Sequence, residues 1–265
     1  MPPAGKRPRA YDHARTRAAV LAQFHHVRDA LRELDETRLA LPTRLGDWTV
    51  RELAAHLAMA VGAVARSLDH DEPARADFTP LDYAAVTGRH AEDVADAARR
   101  LAAAHPDLDA LYTATGRELT ERTDGVPGSR VVETRVGATT LTGFLVTRTI
   151  ELVVHTDDLA AAVPGLEIPY DRQALAACTR VFADTLAAKA PGGSTEVRIP
   201  PFAVVQCVAG PRHTRGTPPN VVETDPLTWV RLAAGRLSWA DAIEDAKVQA
   251  SGERADLSAL LPLLG

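Results

Sequence analysis

Four residues near the middle of the chain can bind a metal ion or an anion, or move a proton: Arg148, Glu151, His155 and Asp158. Their spacing of three, four and three residues puts them on one face of a helix. Glu151 and His155 are one turn apart, so a carboxylate and an imidazole could bind one metal ion. The flanking residues are mostly apolar, and the four would equally fit the solvated face of a bundled helix. This segment alone does not separate the two interpretations.

A third possible donor, His56, lies 95 residues before Glu151. On a helix it lies beside Leu53, Leu57 and Ala60, at the flank of an apolar stripe. A single histidine in that position is more often a hydrogen-bonded core residue than a metal ligand. Helix bundles nevertheless build metal sites from donors on facing helices. Three protein donors would leave one coordination position open, which is typical of catalytic rather than structural zinc sites.

The elements that would position these donors are helices. Thr49 and Glu52 form the capping-box pattern, which predicts a helix beginning after Thr49 and carrying His56. Apolar residues recur at helical spacing in roughly residues 12–34, 49–69, 82–104, 108–119 and 139–162. Residues 130–136 alternate weakly and are predicted to be extended. Several long helices with modest connections favour a helix bundle.

The pattern changes after the proline- and glycine-containing segment 163–169, which is the best candidate for a linker. We therefore predict an N-terminal domain over residues 1–165 and a smaller α+β domain over residues 166–265. In the second, helices are predicted over 172–188, after the cap Asp225 and over 256–263. Strands are predicted within 196–208, 220–223 and 247–250.

The two donor segments together resemble a known family. The sequence LPTRLGDWTVRELAAHL at residues 41–57 resembles the first metal motif of the mycothiol-dependent maleylpyruvate isomerase-like proteins. The sequence RTIELVVHTDDL at residues 148–159 is similar to their second motif. The resemblance implies a DinB-like four-helix bundle with a divalent ion, usually zinc, held by His56, Glu151 and His155. It also implies the sugar thiol mycothiol as cosubstrate; the donor set alone would accept nickel, iron or manganese too.

The C-terminal segment has a resemblance of its own. The sequence DPLTWVRLAAGRL at residues 225–237, followed by VQASG at 248–252, looks like the end of a sterol-carrier-protein-like domain. The resemblance implies an α+β fold for residues 166–265. The basic, proline-rich segment 210–219 does not align with the isomerase pattern.

The activity implied by this resemblance is thiol chemistry on a small electrophile. A thiolate formed near neutral pH could add to an activated double bond, giving isomerisation, or attack an electrophile, giving S-transfer. Arg148 and Arg236 are the catalytic candidates, since guanidiniums bind carboxylates bidentately. Arg148 could instead pair with Glu151. Asp158 could lie behind His155, but we favour a solvent-facing position.

Other arginines of the second domain could also close over the site: Arg212, Arg215 and Arg231, with His213 between the first two. Because the chain is rich in arginine, any one of these, or Arg236, is expected to lie on the surface without a role in the site.

Composition limits the other possibilities. The chain has 265 residues, 46% of them hydrophobic, which excludes a largely disordered protein. A net charge of −5 argues against nucleic-acid binding, and no apolar stretch is long enough to cross a bilayer. The two cysteines, Cys178 and Cys207, form no CxxC motif or disulfide framework, and neither has a base nearby in sequence. We expect a cytoplasmic protein without membrane insertion.

Two other functions stay open at this point. The C-terminal domain could bind a lipid or another apolar small molecule, with the bundle as its scaffold. Alternatively, the bundle could keep its metal and have lost activity.

Overall fold

The N-terminal part of the chain is helical. The structure is a computed structural model and describes residues 9–210 and 219–264. The helices of this part are α1 (His13–Leu31), α2 (Glu36–Leu39), α3 (Val50–Arg66), α4 (Ala91–Ala104), α5 (Leu108–Thr123) and α6 (Leu141–Ala162). Helices α1, α3, α5 and α6 pack against one another as a bundle, and α4 packs against α3. The predicted helix bundle is confirmed.

Local sequence determines where these helices begin. Thr49 caps α3, and Glu52 returns a hydrogen bond to the Thr49 backbone, so the predicted capping box is present. Asp107 and Thr140 cap α5 and α6 through backbone amides. Between α5 and α6 the chain forms an antiparallel hairpin of β1 (Val131–Thr134) and β2 (Gly137–Thr140), where an extended segment was predicted.

Helix α6 lies between two hydrophobic cores. On one side, Leu145, Leu152 and Leu159 pack with the bundle helices. On the other, Val146 and Val153 join the core of the C-terminal part. Because both sides of the helix are buried, even polar residues such as Arg148, Asp157 and Asp158 are buried on it.

The C-terminal part combines a mixed sheet with helices. Its elements are α7 (Arg172–Lys189), β3 (Thr195–Ile199), β4 (Ala203–Cys207), β5 (Val221–Thr224), α8 (Pro226–Ala233), α9 (Trp239–Glu244) and β6 (Val248–Ser251). The strand order is β4-β3-β5-β6, with β3 and β5 parallel and the outer pairs antiparallel. Trp229 and Phe182 are fully buried in its core. The protein is therefore α+β, as predicted.

Two local predictions were wrong, and some short elements were missed. Residues 256–263 form only a short 3₁₀ turn at Ser258–Leu260, because Pro262 lacks an amide and the amides of Leu263 and Leu264 bond to Ala233 of α8 instead. Residues 83–90 form 3₁₀ turns, and α4 begins only at Ala91. Helix α9 was not predicted.

Two further points concern domains and membranes. The connection between α6 and α7 coincides with the segment proposed as a linker, but α7 also packs on α1 and α6. The boundary near residue 165 stays a prediction.

Within the described ranges, no helix is long and apolar enough to cross a membrane.

Candidate metal centre

The fold brings His56, Glu151 and His155 together. His56 extends from α3, and Glu151 and His155 extend from α6. His56 Nε2 lies 2.8 Å from Glu151 Oε2, and His155 Nε2 lies 3.6 Å from the same oxygen. One donor atom from each residue lies within 4.8 Å of the other two. We call these three residues the donor triad; two imidazole nitrogens and one carboxylate oxygen at this separation could bind a metal ion.

His56 is buried, and its Nε2 faces the carboxylate of Glu151. Its Nδ1 has no hydrogen-bond partner among the described residues. Because a packing histidine and a metal ligand would both be expected to satisfy that nitrogen, Nδ1 does not separate the two roles. Trp48 lies edge-on to the ring, with 5.2 Å between ring centroids, and limits its rotation. The chemistry of the donor set, two imidazoles and one carboxylate from facing helices, is what fits a divalent ion.

The pKa shifts follow from burial and from the contacts within the triad. Burial lowers the pKa of His56 more than the hydrogen bond to Glu151 raises it. Burial would raise the pKa of Glu151, but the two histidines outweigh it and hold that pKa well below its usual range. A neutral His56 and an ionised Glu151 are the protonation states that metal binding requires. Burial likewise opposes protonation of His155, but Asp158 and Glu151 raise its pKa to about 9.

Two hydrogen bonds fix the orientation of the donors on α6. Asp158 Oδ2 lies 2.7 Å from His155 Nδ1, which leaves Nε2 facing Glu151. The Tyr83 hydroxyl donates to Glu151 Oε1 at 2.8 Å. Carboxylates and hydroxyls behind metal ligands commonly set ligand orientation in this way. The preferred prediction that Asp158 faces solvent was wrong, because its side chain is fully buried behind His155.

Arg148 is buried beside the triad. Its guanidinium donates to the Tyr83 hydroxyl at 2.7 Å and to the Ala60 carbonyl at 3.3 Å, and it stacks over the Phe144 ring. The alternative prediction of an ion pair with Glu151 is therefore replaced by a chain in which Tyr83 stands between the two. Arg148 lines the same cavity as the triad.

This cavity has a volume of about 830 Å³ and opens beside the triad. Its apolar lining includes Trp48, Met59, Phe78 and Phe144. Its charged lining has both signs, since Arg66 and Arg135 lie there together with the acidic residues Asp47, Glu92 and Asp96. A small organic molecule with an apolar part and a polar or charged group would fit this lining.

Arginines from outside α6 bind its last two carboxylates. Arg231 donates to Asp157, and Arg236 donates to Asp158. Arg44, from the loop before α3, bonds to both carboxylates. The expectation that Arg231 and Arg236 lie on the surface without a role was wrong about their position, because each pairs with a buried carboxylate of α6. Arg236 is not among the described cavity-lining residues and reaches the triad only through Asp158.

Other sequence-based candidates lie elsewhere. Arg212, His213 and Arg215 fall outside the described residues. Cys178 and Cys207 are buried, and burial raises the pKa of Cys207 to about 11, so neither resembles a nucleophile.

Three site residues were not recognised from the sequence. Arg44 and Asp157 lie inside the two motifs that carry the resemblance, and that position was the available signal. Tyr83 lies on a 3₁₀ turn distant in sequence from both motifs and has no comparable signal.

Comparison with known families identifies the N-terminal part. Residues 20–160 match the model for the mycothiol maleylpyruvate isomerase N-terminal domain. The chain belongs to this family. Residues 171–263 match the model of a bacterial SCP ortholog, and so the C-terminal domain of this family member is sterol-carrier-like. A comparison with curated proteins gave no match.

Solved structures share this two-part fold. A mycothiol-dependent maleylpyruvate isomerase matches with 18% identity and a TM-score of 0.58, over 96% of this chain and 97% of that one. A histidine-to-alanine mutant of such an isomerase matches with 17% identity, the same TM-score and the same coverage. At this identity the likeness establishes a common fold.

Proposed function

We propose that this protein is a divalent-metal-dependent enzyme that uses mycothiol for isomerisation of, or S-transfer to, a small electrophilic substrate. The observation that carries the proposal is the donor triad, formed by two facing helices at the wall of a cavity of about 830 Å³. Membership of the isomerase family supports the thiol, and a cavity lined by apolar side chains and by charged groups of both signs supports a small substrate.

His56, Glu151 and His155 are the residues that would hold the ion, with zinc as the proposed metal. Such an ion, when bound with an open coordination position, supplies a Lewis acid that lowers the pKa of a thiol or water. The chain contributes the rest of the site: Tyr83 holds Glu151, and Asp158 holds His155. The apolar walls limit the access of water to the reacting groups.

The chain's own cysteines do not supply a reactive sulfur to the cavity. Both are buried in the C-terminal part, away from the cavity lining. An external thiol is therefore required for thiol chemistry in the cavity. Arg148 is proposed to bind an anionic group of thiol or substrate, since its buried guanidinium lines the cavity and has no carboxylate partner among the described residues.

The test is a screen for thiol-dependent turnover. Zinc-loaded protein is incubated with conjugated cis-alkenes, epoxides and alkyl halides, with mycothiol, with glutathione and without thiol. We expect double-bond isomerisation or thiol consumption only with mycothiol, and its loss in His155→Ala. Chelator-treated protein should be inactive and should recover on addition of zinc.

Two outcomes would overturn the proposal. One is turnover that persists without added thiol or in His155→Ala, because the triad would then be unnecessary. The other is protein that takes up less than about a tenth of an equivalent of zinc, nickel, iron or manganese, since the donor set should bind one of them.

The alternative of a lipid-binding protein is less well supported. The sterol-carrier-like match favours it, but the interior of the C-terminal domain is occupied by Trp229, Phe182 and Leu186, all fully buried. Native mass spectrometry after gentle purification tests it, and a co-purifying lipid would favour it over the enzyme.

A further inference from the structure

A second group of buried charges lies where the C-terminal domain meets α6. Asp157 and Asp158 have side-chain exposures of 5% and 0%. Three guanidiniums from two other elements surround them: Arg44 from the loop before α3, and Arg231 and Arg236 from α8 and the turn after it. We call these five residues the charge cluster. Because buried carboxylates are costly unless paired, the three arginines offset the cost of burying both side chains.

One contact path through this cluster leads to the donor triad. Arg236 Nε lies 2.9 Å from Asp158 Oδ1, and Arg236 Nη2 lies 3.1 Å from Asp158 Oδ2. The same Oδ2 lies 2.7 Å from His155 Nδ1. A residue of the C-terminal domain is thus separated from a proposed metal donor by a single carboxylate.

The backbone after α8 directs Arg236 towards α6. Gly235 has a positive φ of 71°, a conformation that favours glycine, and it reverses the chain at the end of the helix. The Arg236 amide then bonds to the Arg231 carbonyl at 2.7 Å, and Arg236 Nη1 bonds to the Ala234 carbonyl at 2.8 Å. These bonds within the turn fix the position of the Arg236 guanidinium beside Asp158.

A parallel path through the cluster reaches the triad only indirectly, by way of Arg44. Arg231 donates to Asp157 Oδ1 through two nitrogens, at 2.9 and 2.6 Å. Asp157 otherwise contacts Arg44 and the Tyr170 hydroxyl. Neither contact involves His56, Glu151 or His155 directly, although Arg44 also bonds to Asp158. The two arginines therefore make similar bonds to neighbouring carboxylates, and only one of those carboxylates holds a donor.

We propose that the C-terminal domain orients the metal donor His155 through Arg236 and Asp158, so that Arg236 is a positioning residue. With regard to metal affinity the proposal rests on the proposed function; with regard to the orientation of the imidazole it does not. It gives Arg236 a role different from direct contact with substrate. Removal of Arg236 leaves Asp158 with Arg44 alone on that side, so the carboxylate and the imidazole can rotate together away from Glu151.

The test compares Arg236→Ala with the matched control Arg231→Ala. In metal-free protein labelled with ¹⁵N-histidine, the Nδ1 proton of His155 is expected as a slowly exchanging NMR signal, assigned with His155→Gln. We expect that signal in the wild type and in Arg231→Ala, and its loss or broadening in Arg236→Ala. Zinc affinity, measured against a chromophoric chelator, should fall roughly 10- to 100-fold in Arg236→Ala and within about twofold in Arg231→Ala.

Three further measurements keep a loss of fold apart from a loss of orientation. Thermal unfolding of both variants shows that the comparison is made on folded protein. The visible spectrum of the cobalt-loaded protein should change in Arg236→Ala and not in Arg231→Ala. Arg236→Lys, which restores one hydrogen bond, should recover part of the zinc affinity.

The outcomes distinguish this proposal from the proposed function. Equal effects of the two variants, or an unchanged Nδ1 proton in Arg236→Ala, would overturn the positioning role. If the wild type binds no metal, the proposed function fails, whereas the NMR comparison in metal-free protein still decides the role of Arg236.

Discussion

The polar residues of α6 form two regions that differ in how their charge is balanced. In the charge cluster, two carboxylates meet three guanidiniums, and every carboxylate oxygen lies against a donor. In the donor triad, Glu151 meets two imidazoles and a hydroxyl, at the wall of a cavity. Guanidiniums of the protein itself pair with the carboxylates of the cluster, whereas the triad presents possible metal donors to a cavity that a ligand can enter. One helix thus contributes to both the charge cluster and the donor triad within eight residues, Glu151 to Asp158.

The largest expected effect is the loss of metal binding when the triad is broken. His155→Ala removes one of three donors, so zinc affinity should fall more than about 100-fold, beyond the usual effect of a residue behind a ligand. Metal content after dialysis measures this. His70→Ala, at an exposed histidine outside the cavity, is the control and should bind zinc like the wild type. Retention of zinc by His155→Ala would remove the distinction between the two regions.

The next effect is on stability and belongs to the charge cluster. Asp157→Ala removes the carboxylate that Arg231 bonds to and one of the two carboxylates that Arg44 bonds to. We expect the free energy of unfolding to fall by about 2–3 kcal/mol. This is at or below the smallest loss expected when a fully buried ion pair is broken, because both guanidiniums are about one-third exposed. Urea unfolding of metal-free protein measures this.

The comparison variant for that experiment is Glu151→Gln, which keeps the shape of the side chain and should cost less stability. Zinc binding should show the opposite order, being retained in Asp157→Ala and weakened in Glu151→Gln. If one variant were the more impaired in both stability and zinc binding, the charge cluster and the donor triad would not have separate roles.

A smaller effect is expected from the hydroxyl that holds Glu151. Tyr83→Phe removes that hydrogen bond and should lower zinc affinity about tenfold, measured by chelator competition. Tyr112→Phe is the matched control, since the Tyr112 hydroxyl bonds to the Ala54 carbonyl in the bundle core. The control should lose about 1 kcal/mol of stability and keep its zinc affinity. If Tyr83→Phe instead lost stability and kept its zinc affinity, Tyr83 would have a structural role only.

The smallest effect is expected at the cysteines, which belong to neither region. Burial raises the pKa of Cys207 to about 11, so about one molecule in a thousand carries its thiolate at pH 8. Alkylation by iodoacetamide should therefore be slow in native protein and should accelerate as the pH rises towards that pKa, as followed by mass spectrometry. Cys178→Ala/Cys207→Ala should keep mycothiol-dependent turnover; its loss would mean that the chain supplies the sulfur.

Part of the site could be predicted from local spacing. Glu151 and His155 are one helical turn apart, and the capping box of Thr49 and Glu52 fixes where the helix carrying His56 begins. These are short-range relations, and the structure reproduces the helices that they predict. The prediction for Asp158 failed for a tertiary reason: the side of α6 that a lone bundle would leave to solvent is covered here by the C-terminal domain.

The sequence by itself determined the helical N-terminal part, the α+β fold and the placement of Glu151 and His155 on one face of α6, because helix periodicity, capping and motif resemblance are properties of neighbouring residues. Only the tertiary structure decided which charges meet. It brought Tyr83 to Glu151, and it brought Arg236 and Arg44 to Asp158 from positions 78 and 114 residues away. Such contacts depend on how α6 is buried between two cores, and burial makes unpaired charge costly enough to require them.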